Sequence, residues 1–159
     1  TDYLTKSFNR RGIMKKAANT LKQSNATIAI VDLDLFKHIN DTYGHDVGDA
    51  VLVAFARAAQ SILDDGDQFG RYGGEEWLFV LNTVDKKSVE ATFDSIANAL
   101  TNYCSEIEDL KNTETITFSA GAAISTSSNR SLEKLIIHAD ELLYKAKQNG
   151  RNQVNVEQP

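Results

Sequence analysis

Cysteine, proline and long apolar runs are almost absent from this sequence, and each absence excludes a class of protein. The 159 residues include one cysteine, Cys104, and one proline, Pro159. Because a single cysteine cannot form an internal disulfide, we expect a reducing compartment, the cytoplasm. No stretch approaches about 18 consecutive apolar residues, so we predict no membrane span. The histidines at positions 38, 45 and 138 lack the spacing of zinc ligands, and zinc is not expected.

The charge balance excludes two further kinds of partner. The formal net charge is −5, whereas nucleic acids and anionic membranes bind basic surfaces, so we expect contact with neither. With 42% hydrophobic and 25% charged residues, the composition is typical of a globular protein, and we expect one domain over residues 1–159. The chain begins at Thr1 without an initiator methionine. We therefore expect a module of a longer signalling protein, with a sensory or dimerisation domain upstream and room for a membrane anchor elsewhere.

Apolar periodicity predicts an alternating order of helices and strands. Helices are predicted over residues 6–22, 35–41, 47–63, 89–100 and 132–143, and strands over residues 27–33, 68–72, 77–81, 115–125 and 153–156. The continuous apolar run at residues 27–33 indicates a central strand covered on both faces. Asn149 and Gly150 predict the end of the last helix. Crossovers mixed with one hairpin indicate an α+β fold, a ferredoxin-like mixed sheet surrounded by helices.

Residues 71–77, RYGGEEW, contain the most informative local pattern. Gly-Gly is favoured in a two-residue hairpin turn whose central residues both need positive φ, so we predict such a turn at Gly73 and Gly74. Glu75 and Glu76 would then lie at its tip. A solvated acidic turn explains this segment alone equally well; the alternative is that the two acids bind a cation.

The apolar strand ends in a second pair of acids, Asp32 and Asp34. The two-residue period places both on one face, and a carboxylate beside a core needs a partner. If the strand lies beside the hairpin, Asp32 and Glu75 converge. Oxygen ligands of this kind suit Mg²⁺ or Mn²⁺. For Asp34, capping of the following helix is an equally good interpretation.

Cations at three positions are candidate ligands for an anion. Residues 34–37 begin the short helix, where backbone N–H groups bind phosphate, and Lys37 adds a charge there. Lys147 and Arg151 are four residues apart around the end of the last helix, so both can project in one direction. For Lys37 the alternative is an ordinary solvent-exposed lysine. For Lys147 and Arg151 the alternative is that cations near a helix C-terminus complement the helix dipole.

Four ordered blocks resemble the GGDEF family, the diguanylate cyclases, and together they cover almost the whole chain. They are residues 2–11 (DYLTKSFNRR, with Lys6 and Ser7 in place of the usual Gly-Leu), 32–49, 73–77 and 139–152. The resemblance implies a fold like the palm of nucleotidyl cyclases. It also implies that two GTP molecules condense to cyclic di-GMP with release of pyrophosphate, in an antiparallel homodimer of domains.

The resemblance assigns roles to individual residues, with Mg²⁺ or Mn²⁺ as cofactor. Metal ligands would be the side chains of Asp32, Glu75 and Glu76 with the carbonyl of Leu33; the catalytic residues would be Asp32, Glu75 and Glu76. Substrate contacts would come from Phe36, Lys37, Asn40, Asp49, Lys147 and Arg151. Asp49 would accept from N1–H and N2–H₂ of guanine, whereas adenine presents an unprotonated N1 there. Capping of the next helix is the alternative for Asp49.

Two further positions depart from the family pattern, and these bear on function. Trp77 replaces a phenylalanine, and we expect it to pack, so that activity survives. The family's product-inhibition site is Arg-x-x-Asp; here Asp67 stands at or very near its aspartate, and Asp64 occupies the place of the arginine. A carboxylate cannot replace the arginine fork, so we predict that feedback inhibition is lost.

Three other functions are weaker interpretations. A catalytically silent, GTP-binding regulatory module is opposed by the intact residues 73–76. A cyclic di-GMP receptor is opposed by the missing arginine. A cyclase of mixed purine dinucleotides is opposed by Asp49.

Overall fold

A computed structural model describes residues 1–111 and 115–157. The elements in chain order are α1 (Arg10–Gln23), β1 (Thr27–Leu33), α2 (Phe36–Tyr43), α3 (His45–Ile62), β2 (Gln68–Arg71), β3 (Glu76–Leu81), α4 (Lys86–Cys104), a 3₁₀ turn (Glu108–Leu110), β4 (Phe118–Ile124), α5 (Leu132–Gln148) and β5 (Val154–Glu157). Among these described helices, none combines the length and apolarity needed to cross a bilayer.

The strands form one mixed sheet in the order β2-β3-β1-β4-β5. The central strand β1 is antiparallel to both β3 and β4, and β5 joins β4 in parallel. Every residue of β1 is buried, as its apolar run predicts. Chain order and strand order together give the ferredoxin-like arrangement, so the α+β prediction is confirmed.

Alternate residues of β1 pack on opposite faces of the sheet. Ala29, Val31 and Leu33 belong to a core formed with α3 and α4, whereas Ile28 and Ile30 belong to a second core formed with α1 and α5. The alternation places Asp32 on the α5 side. A Cβ at Gly121 of β4 would lie 2.1 Å from the Ala139 carbonyl oxygen, so α5 packs directly on the backbone of the sheet.

Trp77 is fully buried on the α3 side. Its ring centroid lies 5.0 Å from that of Phe55 and 6.0 Å from that of Phe69. The prediction that this aromatic residue packs is confirmed.

The first helix begins later than predicted. Residues 2–7 form a turn instead, in which the Asp2 carboxylate accepts from the Thr5 amide at 2.9 Å and from its hydroxyl at 2.6 Å. Asn9 then caps α1 by accepting from the Gly12 amide at 2.8 Å. The side-chain hydrogen bonds of Asp2 and Asn9 satisfy backbone donors outside the helix, which an apolar periodicity does not register.

The predicted two-residue turn at Gly73 and Gly74 is wrong. Among the described glycines, positive φ occurs at Gly44 and Gly150 and not in the hairpin. The Glu76 carbonyl accepts two amides, from Tyr72 at 2.8 Å and from Gly73 at 3.1 Å, and this shared acceptor closes a longer loop.

Candidate active site

Acidic side chains meet where β1 ends and β3 begins. Asp32 lies opposite Glu76 in the strand register, and the Leu33 amide donates to the Glu75 carbonyl at 3.2 Å. The prediction that the first strand lies beside the hairpin is confirmed. Both hairpin acids therefore lie next to the carboxyl end of β1.

Asp32 has one neutralised oxygen and one without a partner. Its side chain is buried, Lys147 donates to Oδ2, and no described residue donates to Oδ1. Burial raises the pKa of Asp32; Lys147 lowers it, Glu75 and Asp34 raise it, and the net shift is upward. A buried carboxylate oxygen without a donor is energetically unfavourable until a cation or a proton reaches it.

Glu76 shares this acidic field with Asp140 of α5. Burial raises the pKa of Glu76, and Asp32 and Asp140 raise it further, although Lys147 opposes them. The pKa of Asp140 is itself raised by burial and partly lowered by Lys147. Sequence reasoning missed Asp140. The available signal was its position seven residues before Lys147, about two helical turns, on the same side of α5.

Asp34 does not cap α2, so that interpretation is wrong. The residue before α2 is Leu35, whose side chain makes no cap hydrogen bond. The buried Asp34 carboxylate accepts instead from the Thr117 hydroxyl at 2.7 Å, the Ser119 hydroxyl at 2.6 Å and the Asn152 amide at 3.0 Å. It joins β4 and the chain after α5 to the end of β1.

A cavity of about 340 Å³ opens between α2, α3 and the hairpin. Its walls include five residues predicted as site residues, namely Phe36, Lys37, Asn40, Asp49 and Glu75, together with His45, Leu52, Arg71 and Gly74. The Asn40 Oδ1 atom is buried and has no hydrogen-bond partner among the described residues. The structure thus brings the α2 and α3 residues together with one hairpin acid.

The alternative roles of the α2 and α3 residues have different outcomes. Asp49 lies inside α3, which is preceded by Gly44 and has no side-chain cap, so capping by Asp49 is wrong. Lys37 is exposed and pairs with Asp41 at 2.8 Å, which agrees with the alternative of a solvent-exposed lysine. The Asp34 amide donates to the Thr117 carbonyl at 2.9 Å, so this amide of the predicted phosphate-binding set is already occupied.

Lys147 and Arg151 are positioned by different local structures. α5 ends at Gln148, Gly150 has φ 107°, and the Arg151 amide donates to the Ala146 carbonyl at 3.0 Å, which is a glycine-terminated helix end. The predicted end of the helix is confirmed. Arg151 follows it with φ 63°, so the helical spacing invoked for the two cations does not apply.

Arg71 is a cavity residue that sequence reasoning did not single out. It donates to the Gly74 carbonyl at 2.8 and 3.1 Å and pairs with Asp2 at 3.4 Å. Burial raises the pKa of Asp2, but the hydrogen bonds from Thr5 and the charge of Arg71 outweigh it, and the net pKa is lowered. The available signal was an arginine directly before the Tyr-Gly-Gly segment, with an unexplained aspartate in the opening block.

Asp64 and Asp67, at the position of the family's product-inhibition site, line a second cavity of about 320 Å³ together with Lys6 and Asp65. The Asp67 carboxylate accepts from the Asp64 amide at 3.2 Å and from the Asn82 amide at 2.9 Å. The Asp67 carboxylate is therefore already occupied by two backbone amides of this chain.

The acids at the end of β1 and the start of β3 suit a metal that also binds substrate. In residues 1–111 and 115–157, no group of three or more histidine, cysteine, aspartate or glutamate side chains is arranged to hold a metal alone. Mg²⁺ is commonly held by one or two carboxylates and completed by substrate phosphates and water. The partnerless Oδ1 of Asp32, with Glu75 and Glu76 adjacent, fits that pattern.

Comparison with known proteins identifies relatives along almost the entire chain. The family described as "Diguanylate cyclase, GGDEF domain" matches residues 1–153. A diguanylate cyclase of Vibrio cholerae is 36% identical over 158 residues, covering 96% of this chain and 48% of the relative. The probable diguanylate cyclase DgcF of Escherichia coli K12 is 33% identical, covering 97% of this chain and 50% of the relative. The chain thus spans about half the length of these two relatives.

Solved structures give the same result for the fold. The GGDEF domain of DgcB from Caulobacter crescentus, in complex with c-di-GMP, aligns with a TM-score of 0.84 at 27% identity, covering 98% of this chain and 92% of that one. An active GGEEF domain of a Vibrio cholerae diguanylate cyclase aligns with a TM-score of 0.77 at 30% identity, covering 95% and 97%. The prediction of a palm-like cyclase fold is confirmed.

Proposed function

Because the chain belongs to the GGDEF domain family of diguanylate cyclases, we propose that it condenses two GTP molecules to cyclic di-GMP. The observation that supports this most directly is the Asp32 carboxylate, which lies beside Glu75 and Glu76 and whose buried Oδ1 has no partner among the residues that the structure describes. A cavity with partnerless Asn40 Oδ1 opens next to these acids. One location therefore offers both a cation site and a base site.

Recognition of the base is assigned to Asn40 and Asp49, with Phe36 in the same wall of the cavity. The Asp49 carboxylate accepts from N1–H and N2–H₂ of guanine. With adenine the same carboxylate would face an unprotonated ring nitrogen, and the loss of paired acceptors would discriminate against ATP.

Recognition of the phosphates is assigned to Lys37, Lys147 and Arg151, and the metal to Asp32, Glu75, Glu76 and the Leu33 carbonyl. Bound Mg²⁺ or Mn²⁺ would neutralise phosphate charge and lower the pKa of the 3′-hydroxyl. Lys147 already neutralises Asp32, and a triphosphate would compete for its amino group.

Glu76 is the proposed acceptor of the 3′-hydroxyl proton or a further metal ligand. Its raised pKa makes it a stronger base than an ordinary glutamate. The hydroxyl oxygen bonds to the α-phosphorus of the second GTP, the bond from that phosphorus to the bridging oxygen breaks, and pyrophosphate leaves. A second attack in the opposite direction closes the ring and releases a second pyrophosphate.

Two copies of the domain must meet for this reaction, since each would hold one GTP. We propose an antiparallel homodimer, assisted in the longer protein by an upstream dimerising or sensory domain. The rate per domain should then rise with protein concentration.

The deciding experiment incubates the purified protein with Mg²⁺ and GTP or ATP and identifies the products by mass spectrometry. We expect cyclic di-GMP and pyrophosphate from GTP and no product from ATP alone. Glu76→Gln should lower the rate by roughly 100-fold or more while GTP binding persists. Glu90→Gln, a partly exposed glutamate of α4, is the matched control.

Each alternative has its own outcome. GTP binding without product from the unchanged protein would identify a silent regulatory module. Cyclic di-GMP binding without GTP binding would identify a receptor, and a mixed dinucleotide from GTP plus ATP would identify a different cyclase. Undiminished product from Glu76→Gln would refute the role of Glu76.

A further inference from the structure

Gly48 lies inside α3 and is buried against the side chains of α2. A Cβ built on it would lie 1.8 Å from Asn40 Oδ1, 2.9 Å from Asn40 Cγ and 3.3 Å from Phe36 Cζ. The first two distances are shorter than non-bonded atoms tolerate. The Asn40 amide therefore occupies the space that any other residue at position 48 would fill.

Backbone conformation does not explain this glycine. Positive φ among the described glycines is confined to Gly44 and Gly150, so an L-residue fits the backbone at position 48. Glycine in a helix interior is less favourable than alanine, so the chain gives up helix stability at this position. The close approach of Asn40 is the feature that requires it.

The Asn40 amide that Gly48 admits is itself unsatisfied. Its Oδ1 atom is buried and has no partner in residues 1–111 and 115–157, although a buried amide oxygen is normally paired. Asn40 also forms part of the cavity wall with Asp49, which lies one residue after Gly48 on α3. The partnerless oxygen is thus held beside the proposed base site by a gap in the neighbouring helix.

We propose that Gly48 is a positioning residue that sets the Asn40 amide to pair with the purine base of the bound nucleotide. The proposal rests on the proposed function, because it assumes that the cavity takes a guanine nucleotide. It adds a residue that would not touch the nucleotide and would act through Asn40 alone.

The experiment compares Gly48→Ala, Asn40→Ala and the double variant by their affinity for a non-hydrolysable GTP analogue in Mg²⁺. Gly48→Ala should weaken binding about tenfold, the factor expected from one mispaired buried hydrogen bond. Asn40→Ala should weaken it similarly, and the double variant no further than Asn40→Ala. A role independent of Asn40 predicts additive losses, so additivity would overturn the proposal.

The unfolding temperature is a second readout, and it distinguishes positioning of Asn40 from a purely structural role of Gly48. Without the Asn40 amide the new methyl group has space, so the double variant should unfold at a temperature equal to or above that of Asn40→Ala. If Gly48→Ala alone fails to fold, the double variant should still fold. A double variant less stable than Asn40→Ala would show that the methyl group clashes elsewhere, and the proposal would be wrong.

Two controls separate this inference from the function on which it rests. Gly12→Ala makes the same change in α1, away from the cavity, and should leave the affinity unchanged. If the unchanged protein does not bind the GTP analogue, the proposed function fails. If it binds and Gly48→Ala binds equally well, only the role of Gly48 fails.

Discussion

Replacement of Asp34 should destabilise the protein substantially, because this carboxylate satisfies three donors from distant parts of the chain. A hydrogen bond to a charged acceptor contributes roughly 1.5–3 kcal/mol. Thr117 and Asn152 lie close enough to solvent to be rehydrated, whereas Ser119 is 0% exposed and would keep an unpaired hydroxyl. We therefore expect Asp34→Ala to lower the free energy of unfolding by about 3 kcal/mol.

Asp34→Asn separates charge from shape. It keeps one acceptor oxygen, so we expect a loss of about 1–2 kcal/mol. Urea unfolding followed by circular dichroism measures both values. Asp109→Asn, an exposed aspartate of the 3₁₀ turn, is the control and should change stability by less than about 0.5 kcal/mol. A loss below about 1 kcal/mol for Asp34→Ala would refute the reasoning.

Asp34→Asn should also weaken nucleotide binding. Arg151 and Asn152 have φ of 63° and 50°, a conformation that costs non-glycine residues roughly 1–2 kcal/mol each. The bond from the Asn152 amide to Asp34 helps to hold them there. We expect Asp34→Asn to weaken GTP binding about fivefold, worth about 1 kcal/mol, and to have no further effect when Arg151 is alanine. An undiminished effect in that background would exclude a route through Arg151.

Two further predictions concern pH and the product. Because the pKa of Glu76 is raised by burial from its reference value of 4.5, the folded protein binds more protons above that pH. The metal-free protein should therefore lose stability, relative to Glu76→Gln, as pH rises through the raised pKa; a flat difference in urea unfolding between pH 4 and 8 would contradict this. Asp67→Ala should lower the free energy of unfolding by roughly 1–2 kcal/mol, because two hydrogen bonds to backbone amides are lost. Micromolar cyclic di-GMP should inhibit neither the unchanged protein nor Asp67→Ala. Strong inhibition that Asp67→Ala abolishes would show that the feedback site survives.

The sequence predicts well those elements whose pattern and environment agree. β1 was predicted with its observed ends, Thr27 and Leu33, because a run buried on both faces has no other place than the sheet centre. The end of α5 was likewise predicted, since Gly150 supplies the positive φ that stops a helix. The conformation of the hairpin loop was not predicted correctly. The loop closes because the Glu76 carbonyl accepts two amides, and the Gly-Gly dipeptide alone does not indicate this hydrogen bonding.

Contacts across the chain account for what the sequence could not show. The position of Asp34 just before a helix predicts capping, but its hydrogen-bond donors lie 83, 85 and 118 residues away in the sequence. The contact between Lys147 and Asp32 spans 115 residues and likewise needs α5 seated on the sheet. The motif resemblance predicted which residues form the site, and only the fold shows which of them lie together.

Asp32 and Asp34 show how the structure distinguishes a proposed metal ligand from a carboxylate that joins parts of the fold. They lie two residues apart at the end of β1, and both are buried. Both Asp34 oxygens accept from neutral donors, Oδ1 from one hydroxyl and Oδ2 from a hydroxyl and an amide, so a cation would have to displace existing bonds. Asp32 accepts from the Lys147 amino group at one oxygen and, within the part of the chain that the structure describes, from no donor at the other. A metal could therefore bind Asp32 without breaking a neutral hydrogen bond, which is why we assign the proposed cation site to the first acid of the pair.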